Sequence, residues 1–371
     1  MLPKLFIFIS KIFFGSFVFI YGLILYVPEV GVKTFDKRHD RVLDELLTNK
    51  KFERNILNEK KINNEIHNKQ DEKISEKNIS DEKINKENIQ ENQEKNNIQE
   101  KIKEKELEKQ KNQRFLYYIF NEAIKQEHSS AKNKYTQNDI NRICSLNLYV
   151  CDFTHFIGDF SNTQRLYYKA IIIYIINNID EYLNSSEKIS NIMSSLRIDQ
   201  KGTGRRGYAG HHTMLINLPG ISNKIEFMEV FTHELGHIID LGVIKGSGGK
   251  LDSNFTEFGK KKFYLDDPSI DFYSYSWLSE DTTKSGKSRL DFVSGYAMTN
   301  PFEDFAESIN MYINHYGVFE QMAETSLILH RKFNYIENLL DNNYLYTDTK
   351  NTEKAIENPE RRPWDTTKIR L

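Results

Sequence analysis

The chain has 371 residues, with 51 Lys plus Arg against 53 Asp plus Glu, giving a formal charge of −2 at pH 7. That length holds one large domain or two modest ones, and the near-neutral balance excludes a general electrostatic attraction to nucleic acid. The two cysteines, Cys144 and Cys151, are too few for a disulfide framework or a thiolate-rich zinc site; one local disulfide is open to them, but plain buried thiols are the expectation.

Residues 5–27, LFIFISKIFFGSFVFIYGLILYV, are apolar apart from Ser10, Lys11 and Ser16. The run is long enough to cross a bilayer, which takes about 20 apolar residues. A cleaved signal starts the same way, with lysine ahead of an apolar run. Here, however, Pro28, Glu29 and Val30 follow, and no small-x-small cleavage site does. Residues 1–30 are therefore expected to be an uncleaved membrane anchor, with a cleaved signal as the alternative. Lys4 and Lys11 on one flank compete with Lys33, Lys37, Arg38 and Arg41 on the other in setting its orientation.

Residues 31–113 are expected to form a charged, low-complexity spacer. An imperfect ten-residue repeat runs through DEKISEKNIS, DEKINKENIQ and ENQEKNNIQE, with isoleucines at 74, 79, 84 and 89. A spacing of five matches neither a coiled-coil seam nor a strand. The expectation is a solvated coil with transient helix from Glu–Lys pairs, its low-complexity part from about 59 to 113 reaching roughly 40 Å as flexible chain. A partner-binding repeat is the alternative.

Ordered composition resumes at RFLYYIF, residues 114–120, opening a domain expected to span 114–345 ahead of a polar tail, 346–371. Residues 163–183 read as a buried helix too interrupted by Asn177, Asn178, Asp180 and Glu181 to span a membrane. IMSSLRID (192–199) and HHTMLINL (211–218) are β-like runs joined by the turn-rich QKGTGRRG, hence adjacent strands or a hairpin. Within the second, the strand 213–218 is expected to be the sheet edge on which an extended peptide lies. His211 and His212 are expected to be structural, GRR at 204–206 a solvated turn, and GSGGK at 246–250 a loop that lacks the phosphate-loop pattern.

The segment NKIEFMEVFTHELGHIIDLG predicts a helix from about Lys224 to Leu241, with Asn223 as N-cap, Glu226 completing a capping box and Gly242 just past its end. His233 and His237 are four apart, so both rings project from one face. Two neutral imidazoles so placed bind a zinc ion at about 2.0–2.1 Å, and Glu234 is set to reach a water on the metal: the H-E-x-x-H arrangement. A catalytic zinc needs a third protein ligand. GYAMTNPFEDFAESINMYI (295–313) offers one on a second helix, capped by Asn300, started by Pro301 and running to about Tyr316. Two readings of its glutamates are open. Either Glu303 ligates while Glu307 accepts the second N–H of a ligating ring, or Glu303 completes a capping box and Glu307 faces solvent. Asp240, three beyond His237 on the same face, is placed as a support behind the ligands, because one straight helix converges three ligands poorly.

HELGH, then FYSYSW at 272–277, then DFVSGYAMTNPFEDFAES at 291–308 resemble the catalytic domain of the anthrax lethal factor and Pro-Pro endopeptidase group of zinc metallopeptidases. That gluzincin-type pattern is H-E-x-x-H, later a tyrosine, and seven residues on a glutamate opening E-x-x-x-E. Tyr296 and Glu303 stand seven apart here. The resemblance is close over about 223–316, loose back to about 114, and does not reach the anchor or spacer. It implies an α+β, zincin-like domain: a small twisted sheet with an edge strand, an active-site helix and a helical C-terminal lobe. It also implies one Zn2+ per chain on His233, His237 and Glu303, with Glu234 as general base and Tyr296 facing the oxyanion. The activity implied is hydrolysis of surface-exposed or exported proteins, with proline-rich sites suggested by the nearer relatives. The chain would then act at the cell membrane with its catalytic domain extracytoplasmic, or secreted. A non-catalytic peptide-binding adaptor and an exported toxin protease are the alternatives.

Overall fold

The computed structural model describes residues 81–125, 134–345 and 362–369. The expected anchor, the spacer up to residue 80 and most of the expected tail lie outside the described residues. Among the described residues no helix is long and apolar enough to cross a membrane.

The end of the expected spacer is one α-helix, α1, Asp81–Ile124, where coil was expected. At 1.5 Å per residue its 44 residues span about 66 Å. Straight-chain Glu, Lys and Gln favour helix without needing a packed face, and the side chains of residues 95–109 are all exposed. From Asn112 the same helix turns into core, with Leu116, Ile119, Phe120 and Ala123 buried. No break marks the boundary expected at 113.

Helices α2 (Gln137–Cys144) and α3 (Leu148–Phe153) follow. A disulfide between Cys144 and Cys151 staples them, with Cα atoms 5.6 Å apart. The expectation of plain buried thiols is thus corrected: the tight turn between the two helices brings both half-exposed sulfurs together. Helix α4, Asn162–Tyr182, starts at a reciprocal capping box between Ser161 and Gln164. It is buried along most of its length, as its composition predicts, and packs on α1.

The fold is mixed, helices around small sheets, consistent with the α+β expectation. The main sheet holds β1 (Thr154–Ile157), β2 (Ser195–Asp199), β3 (Gly207–Ala209) and β4 (Thr213–Asn217) in the order β1-β2-β4-β3. β2 and β4 are adjacent and parallel, while β3 and β4 form the antiparallel pair. The segment expected to be the edge, β4, is therefore internal. The edges of this sheet are β1 and, beside β4, β3, whose three residues (Gly-Tyr-Ala) are too few to show alternation.

After a short helix α5 (Ile189–Ile192) and the sheet, the site helix α6 spans Lys224–Ile238. It widens into a π-turn over Ile239–Val243. Two small hairpins, β5–β6 (Leu251–Thr256, Lys262–Tyr264) and β7–β8 (Trp277–Ser279, Thr282–Thr283), flank helix α7, Pro268–Tyr273. The C-terminal lobe is helical: α8 (Pro301–Asn314), α9 (Tyr316–Thr325) and α10 (Leu327–Leu339).

Candidate metal centre

The site is made where α6 crosses α8. Both start as their sequences predict: Asn223 Oδ1 accepts from Glu226 N–H, Asn300 Oδ1 accepts from Glu303 N–H, and Pro301 opens α8. The box at α6 is only half closed. The Glu226 carboxylate takes Ser222 N–H, Arg206 and Lys368 instead of the cap's own N–H. The helices approach closely at Gly236, where a Cβ would sit 2.7 Å from Ala306 Cα. No other residue type fits there without separating the helices, so this glycine sets the distance across the site.

That approach brings three ligand atoms together. Glu303 Oε2 lies 3.2 Å from His233 Nε2 and 3.3 Å from His237 Nε2. One nitrogen or oxygen from each of the three residues lies within 4.8 Å of the others. A tetrahedral ion with bonds of about 2.0–2.1 Å separates its ligand atoms by about 3.3 Å, the spacing found between Glu303 and each histidine. Glu303 Oε2 is also buried without a hydrogen-bond partner. A buried carboxylate oxygen in that state is costly unless something satisfies it, and a cation between it and the two imidazoles does so. The residues fit a divalent metal.

The surrounding groups tune the ligands. His233 Nδ1 lies 2.9 Å from Glu307 Oε1, so a proton on Nδ1 leaves the Nε2 lone pair facing Glu303. The Glu307 side chain is fully buried, which overturns the solvated reading, and its Oε1 faces the His233 ring. Burial works against charge on His233 and His237, but Glu303 and, for His233, Glu307 outweigh it and raise both pKa values. Burial raises the Glu303 carboxyl too, yet the two histidines hold it well below the usual range. The Tyr296 hydroxyl donates to Glu303 Oε1 at 3.0 Å, and burial with the nearby carboxylate raises its pKa.

Glu234 stands on the sheet side of the same helix, only 6% exposed. Gly207 of the edge strand lies against it: a Cβ there would fall 2.2 Å from Glu234 Oε1. Burial raises the Glu234 pKa, Glu303 adds to the rise, and the two imidazoles oppose it. Arg205, Gly207, His233, Glu234, Tyr296 and Trp364 share a cavity of about 360 Å3.

Asp240 is not placed as expected. Its oxygens accept from the Tyr273 hydroxyl at 2.7 and 2.6 Å, with Ser269 at 3.5 Å from its carbonyl, and it forms no hydrogen bond to a histidine. The π-turn after Ile238 carries it toward α7 and off the face of His233 and His237. Burial pushes its pKa up to about 7 against the bonds from Ser269 and Tyr273. A carboxyl raised in the folded state stabilises fully below its unfolded pKa, and that contribution is lost as pH rises through the folded one. Between pH 5 and 8 the native chain should therefore lose more melting temperature than Asp240→Asn does. Parallel melting-temperature profiles would contradict this.

Gly242 is not a helix-end cap but a close contact, with His211 O 2.4 Å from where its Cβ would be. His211 meets Glu257 at 2.7 Å. The GRR turn is not simply solvated. Arg206 binds Glu226, Asp365 and Thr367, partners up to 161 residues away that no local pattern reveals.

Comparison with known protein families, with curated proteins and with solved structures finds no match to this chain.

Proposed function

We propose that the chain is a zinc-dependent endopeptidase of the lethal factor and Pro-Pro endopeptidase type, with a zincin-like catalytic domain. The observation that carries this is the partnerless Glu303 Oε2 at tetrahedral spacing from His233 Nε2 and His237 Nε2, with a buried carboxylate, Glu234, beside them on the cavity wall. His233, His237 and Glu303 would hold the ion. A bound zinc supplies Lewis acidity, polarising a scissile carbonyl and acidifying water.

The chain's own residues do the rest. Glu234 takes a proton from the attacking water and passes it to the leaving nitrogen as the C–N bond breaks; its raised pKa moves it toward the range where one group serves as both base and acid. Tyr296 exchanges its bond to Glu303 for one to the developing oxyanion. The free side of β3 offers main-chain groups to an extended substrate, and Gly207 keeps that backbone close to Glu234. The Cys144–Cys151 disulfide favours an oxidising compartment. This agrees with an extracytoplasmic domain held by residues 5–27, or a secreted one, acting on surface-exposed or exported proteins.

The test is incubation of the purified chain with a peptide library, with and without a zinc chelator. Cleavage that stops with chelator and returns with added zinc supports the proposal. Binding of peptides without cleavage would instead favour the adaptor reading, and chelator-resistant cleavage would remove zinc from the account.

A further inference from the structure

We infer that the C-terminal segment Arg362–Ile369 is a working wall of the metal centre, and that Thr366 is the positioning residue through which it holds Glu307 and His233. The inference rests on the metal-site reading above and adds to it a part of the chain far outside the motif.

Three sets of contacts carry it. The first reaches the ligand. Thr366 N–H donates to Glu307 Oε2 at 2.8 Å, Asn310 Nδ2 donates to Thr366 Oγ1 at 2.7 Å, and Glu307 Oε1 lies 2.9 Å from His233 Nδ1. Glu307 and Thr366 are both fully buried. The bond from the strap restricts rotation of the Glu307 carboxylate and keeps its other oxygen against the imidazole. The bond from Thr366 is charge-assisted and cut off from water, the setting in which such bonds are strong.

The second set holds the tyrosine. Tyr296 N–H donates to Trp364 O at 2.5 Å and Gly295 N–H to Pro363 O at 3.2 Å. Gly295 has no room for a side chain, because its Cβ would lie 2.5 Å from Cε3 of the Trp364 ring. The third set latches the segment at both ends. Arg362 Nη1 donates to the carbonyls of Arg289, Leu290 and Phe292 at 3.3, 3.1 and 2.8 Å. At the other end Arg206 joins Asp365 and Glu226, and Lys368 also reaches Glu226. Burial works against charge on Glu226, but Lys368, Ser222 and Arg206 hold its pKa down to about 2. A terminal strand lying on the surface needs none of these contacts. One latched across the site, with Trp364, Asp365 and Thr367 lining the cavity that contains Glu234, shapes it.

The experiment is zinc affinity of the full chain, measured by competition with a chelating dye, for wild type, Thr366→Ala and Thr366→Pro. Alanine keeps the N–H and loses only the Asn310 contact. Proline removes the N–H; the backbone angles suit it, since Asp365 before it is extended and Thr366 opens a short 3-10 turn, and its ring Cδ displaces Glu307 Oε2 from the place of the lost hydrogen bond. We expect Thr366→Ala to stay within about threefold of wild type and Thr366→Pro to bind zinc about 10–100-fold more weakly, with its near-UV circular dichroism unchanged. Wild-type zinc affinity in Thr366→Pro would overturn the inference alone; a wild type that binds no zinc would overturn the metal site with it. Should Thr366→Pro not fold, Asp365→Ala carries the test, since it removes the Arg206 ion pair and the cap of the Thr366 turn while leaving the Glu307 and His233 side chains unaltered. Zinc binding about tenfold weaker in that variant supports the inference, and unchanged binding overturns it.

Discussion

Glu234→Gln should leave zinc binding close to wild type and lower turnover by about 10²–10⁴-fold, the range a positioned general base contributes. Glutamine keeps the volume and the contact with Gly207, but it cannot accept a proton at neutral pH. Glu234 is not one of the three converging ligands, so the ion has no reason to leave. The readouts are kcat on a peptide identified from the library and zinc content of the same sample. A variant that turns over like wild type would remove Glu234 from the mechanism. One that loses both zinc and activity would make Glu234 a ligand and not the base.

The largest expected stability effect lies behind the site, in α8 and α10. Lys332 Nζ donates to Asp304 at 2.9 and 2.6 Å and to Asp291 O at 2.9 Å, and lies 4.2 Å from the centre of the Phe292 ring. Trp277 Nε1 donates to the same carboxylate at 2.9 Å. Lys332 and Asp304 are both completely buried. Burial alone opposes both charges, raising the Asp304 pKa and lowering that of Lys332, while the mutual attraction opposes each shift. Lys332→Met keeps the packing and strands the Asp304 carboxylate, so it should cost about 3–5 kcal/mol in urea unfolding. Replacing both partners, with Asp304→Leu added, should recover part of that loss, the rest being the Trp277 N–H left unpaired. A single-variant loss below about 1 kcal/mol would mean that water or rearrangement reaches the carboxylate. Because Asp304 follows Glu303 directly, this pair also anchors the turn of α8 that supplies the third ligand.

The parts of the site legible in the sequence are those set by local geometry. Two histidines four apart must share a helical face, and Asn223 and Asn300 cap their helices because N-capping involves only neighbouring residues. That Glu303 meets those histidines follows from no local rule. The crossing of α6 and α8 at Gly236 and Ala306 makes the meeting, and only the order and spacing of Tyr296 and Glu303 hinted at it. Asp240 was misplaced because a π-turn has no sequence signature and rotates every residue after it. The edge strand was misassigned because Gly207–Ala209 carries no apolar alternation, whereas the internal strand at 213–217 does. Over 81–113 the isoleucine spacing of five builds no seam and so predicts coil with only transient helix, yet Glu and Lys form helix without one. The strap was invisible for a different reason: its latch pairs Arg206 with Asp365 across 159 residues, and charge complementarity at that range leaves no period to read.

The central claim is that His233, His237 and Glu303 bind one divalent ion together. Equilibrium dialysis against zinc, followed by elemental analysis of the wild type and Glu303→Gln, tests it most directly. One zinc per folded wild-type chain, with binding markedly weakened in Glu303→Gln while the fold persists, is the result expected. A metal-free wild type, or a Glu303→Gln variant that binds zinc as tightly as wild type, would contradict it.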